Sequence, residues 1–395
     1  MSDKQNILIV HNYYQIAGGE DTVVANEKKM LSDNGHRVTM YNRSNSELKN
    51  MGKLSKLFLP LTTIYNPRTF KEVKKIIKEN NIDIVHVHNT LNLISPSVYY
   101  AAHSMKVPVV QTIHNFRFVC PAATFYRDKH ICEDCIDKGL NCALKHNCYR
   151  NSKLQTLACV LSTKIHRILG TYQKNNYICL TEFTKNKLLS ANKPGKKNIF
   201  LSEKFYIKPN FTYENSIPRK DGTHFLFIGR IEEIKGIDIL IDAFSELPDE
   251  KLIIAGTGND FNKNKNIVNE KNLTNITFTG FLQRDELDSI LSEAKAVIVT
   301  SQWYETFGMI IAEAFASHVP VITGDIGNIG GLVTEGVTGF KFKYDSALSL
   351  CEAIKKFNAH DAKMLSDNAY NEYLDKYSDE INYKTLKKIY DDISK

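Results

Sequence analysis

The feature that most constrains the fold is a doubled series of short β-branched runs, each run followed by a helical pattern. Ile7-Leu8-Ile9-Val10 reads as a buried first strand, and the residues from Thr22 to Asn34 read as a helix stopping near Gly35. Arg37–Tyr41, Ile82–Val87, Val107–Thr112 and Tyr177–Leu180 continue the series as expected strands. The pattern restarts at Phe225-Leu226-Phe227-Ile228 and runs on through Leu252–Ala255, Ile276–Phe278, Ala296–Val299 and Val319–Ile322. Apolar strands separated by helices belong to parallel sheets covered on both faces. The expected fold class is α/β, with two doubly wound units in series, a fitting division for 395 residues.

The stretch 205–222, with Pro209, Asn210, Pro218 and Gly222, reads as an irregular linker. It divides an N-terminal domain, 1–205, from a second domain, 206–376. Ile381, Leu386, Ile389 and Ile393 recur at roughly helical spacing, so 377–395 reads as a closing helix. No apolar run approaches the ~20 residues of a membrane-spanning helix. Ile7–Val10 is too short for a signal peptide. The chain therefore reads as cytoplasmic, and its eight Cys as thiols or metal ligands rather than disulfides.

Charge is unevenly shared. Residues 1–200 carry 29 Lys and Arg against 14 Asp and Glu, a balance of +15, whereas the rest of the chain stands at −8. A basic domain suits an anionic partner: a phosphorylated substrate, a membrane surface or nucleic acid. Lys71, Lys74, Lys75 and Lys78 lie in one basic stretch, 53–78, which also holds the apolar run Leu57–Leu61. The segment 149–174 is a second basic and partly apolar stretch. Either stretch fits an anionic bilayer or a solvated helix face. No nucleic-acid-binding motif accompanies the charge, and a non-enzymatic nucleic-acid binder would leave the acidic half unexplained.

In doubly wound sheets, ligands bind beyond the carboxyl ends of the strands. The most informative segment there is Ser301-Gln302-Trp303-Tyr304-Glu305-Thr306-Phe307-Gly308-Met309, after the strand Ala296–Val299. Phe307-Gly308-Met309 opens a helix, whose unpaired N–H groups and positive dipole end suit an anion. Glu313 lies eight positions after Glu305, a little over two turns if helical, so both can face one ligand. Gly229-Arg230 through Lys235-Gly236 follows another strand, and its Arg and Lys form a cationic clamp for phosphate oxygens. Gly18-Gly19, after the first strand, lets backbone approach a ligand, although the loop lacks the G-x-G-x-x-G fingerprint. His114, just past Thr112, is placed to position a substrate or take a proton.

Over essentially its whole length, the chain resembles the retaining family 4 group of GT-B glycosyltransferases. The most specific mark is the glutamate pair, Glu305-Thr306-Phe307-Gly308 through Glu313; the second is Gly229-Arg230 with Lys235-Gly236. The resemblance implies two Rossmann-like domains facing each other across a cleft, the first for the acceptor and the second for a nucleotide-sugar donor. It implies that Arg230 and Lys235 bind the donor diphosphate, that Glu305 and the Phe307-Gly308-Met309 backbone hold the sugar and phosphate, and that Glu313 holds the ribose. It further implies that Gly19, beside Gly18, approaches the diphosphate, that His114 contacts the sugar, and that the base packs near Gly256-Thr257-Gly258 and Phe281-Leu282. The catalytic set is then His114, Glu305, Arg230 and Lys235. The donor is a UDP- or GDP-sugar and the acceptor a glycan or a lipid-linked glycan. The setting is surface-polysaccharide synthesis, peripheral to the inner face of the cell membrane. No catalytic metal is expected. The alternative within the architecture is a nucleotide-sugar epimerase or a phosphorylase. One departure stands out: by its spacing from Gly336, Gly331 occupies the place of a glutamate usual in the family.

Five cysteines crowd 120–148, an insertion after His114. The pair Cys132-x-x-Cys135, with Cys142 and Cys148, makes a candidate structural zinc site, with His130 and His146 as alternative ligands.

Overall fold

In the computed structural model of the chain, residues 4–15 and 18–395 are described, without the side chains of 53–57. The expectations for Lys53 and Leu57 lie outside that description. The chain divides into two compact units. The first comprises 1–125, 132–210 and 382–395; the second comprises 126–131 and 211–381.

The first unit is built on six parallel strands: β1 (Asn6–Tyr13), β2 (Arg37–Ser44), β3 (Ile84–Val87), β4 (Val109–Ile113), β7 (Asn176–Cys179) and β8 (Phe205–Ile207). A two-stranded antiparallel hairpin, β5 (Tyr126–Arg127) and β6 (His130–Ile131), falls between β4 and β7 in sequence. The spatial order is β2-β1-β3-β4-β7-β8. Ile7 to Val10 of β1 are fully buried because neighbouring strands flank them and layers of the fold cover both faces. Helix α1 (Gly19–Asp33) follows β1, and Val23, Val24, Glu27, Met30 and Leu31 form its buried stripe. Four of those five residues are apolar, and the fifth is a carboxylate.

The second unit repeats the design with β9 (His224–Ile228), β10 (Leu252–Ala255), β11 (Ile276–Gly280), β12 (Ala294–Val299), β13 (Val321–Gly324) and β14 (Gly339–Phe342). All six strands run parallel in the order β11-β10-β9-β12-β13-β14. Phe225, Ile241, Phe244, Leu350 and Phe357 belong to one continuous core cluster with the strand residues Ile254, Ile298 and Ile322. The strand order reverses between β9 and β12, and such a switch point opens a crevice at the carboxyl ends of the strands. The corresponding reversal in the first unit lies between β1 and β3.

The structure corrects the sequence reading at the linker. Phe205–Ile207 is a strand, paired with β7 through Tyr177↔Phe205 and Cys179↔Ile207. Three residues are too short to show a period, and the prolines that follow masked them. The last helix, Asp379–Ile393, starts two residues after the expected 377, and its residues from Asn382 onward group with the first unit. Among the described residues, no helix is long and apolar enough to cross a membrane.

Candidate active site

The loops after β9 and β12 meet at the switch point of the second unit. The Gln302 N–H donates to Ile234 O (2.8 Å), and Thr300 Oγ1 donates to Lys235 O (2.6 Å). Gly236 closes the first loop in the left-handed region (φ 65°), where a Cβ would stand 2.3 Å from Thr300 O. Neither the conformation nor the approach admits a side chain. The β10 loop is laced in as tightly: the Ile231 N–H donates to Thr257 O (2.9 Å), and a Cβ on Gly256 would lie 1.9 Å from Gly229 O. The segments Gly229–Gly236, Gly256–Gly258 and Thr300–Gly308 therefore form one fixed floor.

Lys235 and Glu305 meet on that floor with Nζ and Oε1 2.5 Å apart, both largely buried. Ser301 Oγ donates to the same carboxylate oxygen, and the Asn328 amide donates to Glu305 O. Burial alone would raise the Glu305 carboxyl; the Lys235 ammonium and the hydrogen bonds to the carboxylate outweigh it and hold Glu305 below its usual range. The Lys235 ammonium also lies 5.7 Å from the Trp303 ring centroid. Gly308, at φ 97°, caps the helix Met309–Ala316, which directs its first N–H groups out of its amino end. Phe307 itself is buried and meets Tyr377 edge-on at 5.7 Å, so only its backbone is offered to a ligand.

Glu313 keeps different company. Its carboxylate lies 3.8 Å from Arg284, which also bonds Asp288 at 2.9 Å. Burial raises the Glu313 carboxyl, with Asp288 adding to the rise and Arg284 opposing it. Arg230 is exposed and pairs with Glu232 two residues on (3.0 Å). Phe281, just past β11, is 70% exposed, which suits a ring awaiting a stacking partner. Nothing lies within 4 Å of where a Cβ on Gly331 would stand, so the usual glutamate is missing from an open position.

In the first unit, Gly18 caps α1, and the Asp21 side chain accepts from its N–H at 3.1 Å. The space beside Gly18 is open. Asp21 also takes His11 Nε2 at 2.7 Å, and Tyr14 donates to Glu20 at 2.8 Å. Burial pushes the Glu20 carboxyl up to about 8 against the Tyr14 hydrogen bond. His114 follows β4 and meets His88 Nδ1 through Nε2 at 2.9 Å. Burial, with His88 next in effect, holds the His114 imidazole well below its usual pKa, so it stays neutral. Beside it, a cavity of about 70 Å³ is lined by His88, Gln111, His114, Arg117, Phe118 and Tyr172 among others.

Cys132, Cys135, Cys142 and Cys148, the candidate zinc ligands, all belong to the first unit. None of the eight cysteines forms a disulfide. Cys132 ends the hairpin with its thiol 3.7 Å from Asp134. Cys135 and Cys148 instead pack against a small core of Leu140, Ala143 and Val160. Burial raises the Cys135 thiol to about 12, with the fields of Cys120, Cys148 and Cys142 adding to it. Among the described residues, one group of three His, Cys, Asp or Glu brings its ligand atoms within 4.8 Å of one another, and it is Glu27, His86 and His88.

That group escaped sequence reasoning, as did Lys208 and Arg284. A signal was present: Glu27 occupies the apolar stripe of α1, and His86 sits within the buried strand Ile84–Val87.

Comparison with known proteins agrees with this architecture. The family described as Glycosyltransferase Family 4 matches residues 17–133, and Glycosyl transferases group 1 matches 211–373. An uncharacterized glycosyltransferase of Methanocaldococcus jannaschii is 26% identical over 98% of both chains. A glycosyltransferase structure from Rickettsia africae superposes with a TM-score of 0.71 at 18% identity, covering 99% of each chain. Anabaena HepE in complex with UDP-glucose superposes at 0.66 and 16% identity, over 98% of this chain and 99% of that one. Two Rossmann-like parallel sheets, each matched by its own family, make this chain a member of the GT-B glycosyltransferases of the family 4 type.

Proposed function

We propose that the protein is a retaining glycosyltransferase moving a hexose-type sugar from a UDP- or GDP-sugar to a glycan or lipid-linked acceptor in surface-polysaccharide synthesis. The observation that carries the reading is the buried Lys235–Glu305 pair at the switch point, beside the amino end of the helix Met309–Ala316. Breaking the sugar–phosphate bond leaves its electron pair on the diphosphate. Lys235, Arg230 and the helix N–H groups supply the positive charge that stabilises it. Glu305 holds Lys235 in place and receives sugar hydroxyls, Glu313 takes the ribose, and the base stacks near Gly256, Phe281 and Leu282. The bound UDP-glucose of Anabaena HepE supports this donor class. The acceptor oxygen attacks from the face the diphosphate leaves, its proton passing to the departing phosphate oxygen, so the anomeric configuration is kept. Gly18 and Gly19 approach the diphosphate, and His114 contacts the sugar.

A thermal-shift screen against UDP, GDP, ADP and CMP tests the donor assignment. A ligand at ~100 times its Kd that binds only the folded chain adds about 2.7 kcal/mol. One nucleotide is expected to raise the midpoint clearly, and Glu313→Ala to abolish that preference. Equal, negligible shifts from all four would reject the pocket.

The acceptor side supports a lipid-linked glycan and a peripheral membrane position. On the helix Lys153–Ile168, Leu154, Leu157, Leu161 and Ile168 are all exposed and share one face. Phe58 and Leu61, on the helix Lys53–Ile64 packed against it, are exposed too. Between these helices, a groove of about 290 Å³ is lined by Leu59, Pro60, Tyr149, Leu154 and Ala158 among others. The chain is expected to float with phosphatidylglycerol vesicles, and Leu161→Ser with Ile168→Ser to release it. A chain that stays at the bottom of the gradient contradicts the membrane assignment.

A further inference from the structure

The first unit holds one buried ion pair that is complete in itself. Glu27 Oε2 meets Lys208 Nζ at 3.1 Å, and Lys208 also donates to Asn382 Oδ1 at 2.9 Å. Arg117, half-buried just past β4, has no such counterpart. Its guanidinium is a planar fork of N–H donors. Among the described residues a single protein acceptor meets that fork, Pro121 O at 3.4 Å from Nη1, and no carboxylate forms an ion pair with it. The field of Glu20 reaches Arg117, but burial pushes the Glu20 carboxyl up to about 8 against the Tyr14 hydrogen bond. That acid is therefore mostly uncharged at neutral pH.

A second guanidinium stands close by. Arg117 lies 5.1 Å from the Tyr149 ring centroid, and the exposed Arg150 lies 5.5 Å from the same centroid. Among the described residues, Arg150 too is in no ion pair. The residue that carries the ring is anchored: the Tyr149 N–H donates at 3.0 Å to Thr156 Oγ1, and Thr156 is fully buried on the helix Lys153–Ile168. Each cation is attracted to the ring by itself. Two of them against one ring repel each other, and a half-buried charge with no partner is costly. The arrangement calls for an anion.

Its position says which kind. Arg117 lines the polar cavity beyond β3 and β4, together with His88, Gln111 and His114. Tyr149 and Arg150 line the mostly apolar groove, together with Leu59, Pro60 and Leu154. Cavity and groove share Thr63 and Cys159 in their walls, so they adjoin. The two guanidiniums thus stand where a polar chamber meets an apolar trough. The carboxylate of a soluble acidic sugar would meet the charge and leave the trough unused. A phosphate that joins a sugar to a hydrocarbon chain uses the chamber, the charge and the trough together.

We propose that Arg117 and Arg150 bind the phosphate or diphosphate that links the acceptor's sugar to its lipid, with the sugar on the cavity side and the lipid chain along the groove. The proposal deepens the reading of a lipid-linked acceptor and rests on it. Guanidinium forks meet phosphate oxygens bidentately, which a lysine in either place would not do. The pair would then select phosphate-linked lipids from among glycan acceptors.

Calorimetric titration of the full chain with farnesyl diphosphate, a short and soluble lipid phosphate, tests the site. Farnesol and inorganic diphosphate serve as the two halves of that probe, and glucuronate as a carboxylate without lipid. The nucleotide that the donor screen selects is present throughout, so that the diphosphate loop of the second unit is filled. Farnesyl diphosphate is expected to bind at least about tenfold tighter than each of the other three. Arg117→Gln and Arg150→Gln are each expected to weaken it about tenfold or more, the usual loss with a hydrogen bond to a charged group. Arg117→Lys is expected to weaken it less. Unchanged affinity in either folded Gln variant overturns the proposal, as does farnesol binding as tightly as farnesyl diphosphate. Inorganic diphosphate or glucuronate binding as tightly overturns the lipid assignment. Binding lost in Lys235→Ala but kept in both Gln variants places the diphosphate at the donor loop and overturns it too. The nucleotide's own rise in thermal midpoint separates the two readings. Where that rise persists and farnesyl diphosphate does not bind, this proposal falls and the donor reading stands. Where no nucleotide binds, the donor reading falls, and the titration is run in Lys235→Ala to judge the acceptor site by itself. If Arg117→Gln fails to fold, Arg150→Gln, at an exposed position, carries the test.

Discussion

Lys235→Ala is expected to cut turnover by about 10²-fold or more, the usual cost of removing one preorganised donor from a developing anion. The Lys235 ammonium stands at the reversal of strand order, on a floor whose backbone approaches, as at Gly236 and Gly256, exclude even a methyl group. In the proposed function, it meets the leaving diphosphate without reorganising. The substitution also strands Glu305, whose carboxylate is largely buried and bonded at 2.5 Å to the ammonium that is lost. Two effects would then be confounded, so Lys235→Ala is to be compared with Lys235→Ala/Glu305→Gln at matched thermal midpoints. Turnover should stay low in the pair even where stability recovers. Near-normal turnover in either variant would remove Lys235 from the diphosphate site. Lys235→Arg keeps the charge on a longer, planar group, and a partial loss is expected.

Glu27→Ala should destabilise the first unit by about 3–5 kcal/mol, because it leaves Lys208 as a buried charge with only Asn382 beside it. Calorimetry of the intact chain would show this as a lowered transition, by roughly 2–4 °C per kcal/mol for a unit of this size. Glu27→Leu with Lys208→Met should recover most of the loss, since replacing a buried pair by apolar residues of similar volume is often neutral. A single substitution that leaves the transition unmoved would show that water reaches the pair. Acid provides an independent check. Unfolded His88 takes its proton near 6.5, while the folded residue resists until about 4. The unfolded state thus binds more protons between those values, and stability falls as pH drops from 6.5 towards 4. Burial opposes ionisation of Glu27, but the fields of His86 and Lys208 hold its carboxyl well below its usual range, so its ion pair outlasts ordinary carboxylates as the pH falls.

Much of this was legible in the chain itself. Ile7–Val10, Phe225–Ile228 and Ala296–Val299 are apolar without interruption because each is flanked by strands on both sides, and burial leaves that mark on a sequence. Lys235 and Glu305 stand in the loops after β9 and β12 where the sequence put them, and the fold pairs them at 2.5 Å. Phe205–Ile207 was not legible, since three residues beside two prolines carry no period, and their pairing with β7 is a long-range event. Glu27, His86, His88 and Lys208 were missed as a group for a related reason. Each one is an anomaly on an apolar surface, and only the fold brings the four anomalies together. In the cysteine insertion, Cys132-x-x-Cys135 fixes a spacing but not the direction of either thiol.

The helix Asp379–Ile393 has a consequence for how the protein is made. Its residues from Asn382 onward belong to the first unit, where Tyr390 meets His86 and Asn382 meets Lys208. A ribosome releases the strands of that unit long before it releases those two partners. During synthesis the nascent first unit holds a lysine and a histidine that each still lack one partner, Asn382 and Tyr390, and it must wait while 171 residues of the second, 211–381, emerge. The two units are thus separate in architecture but interlocked in time: the amino-terminal half is finished last.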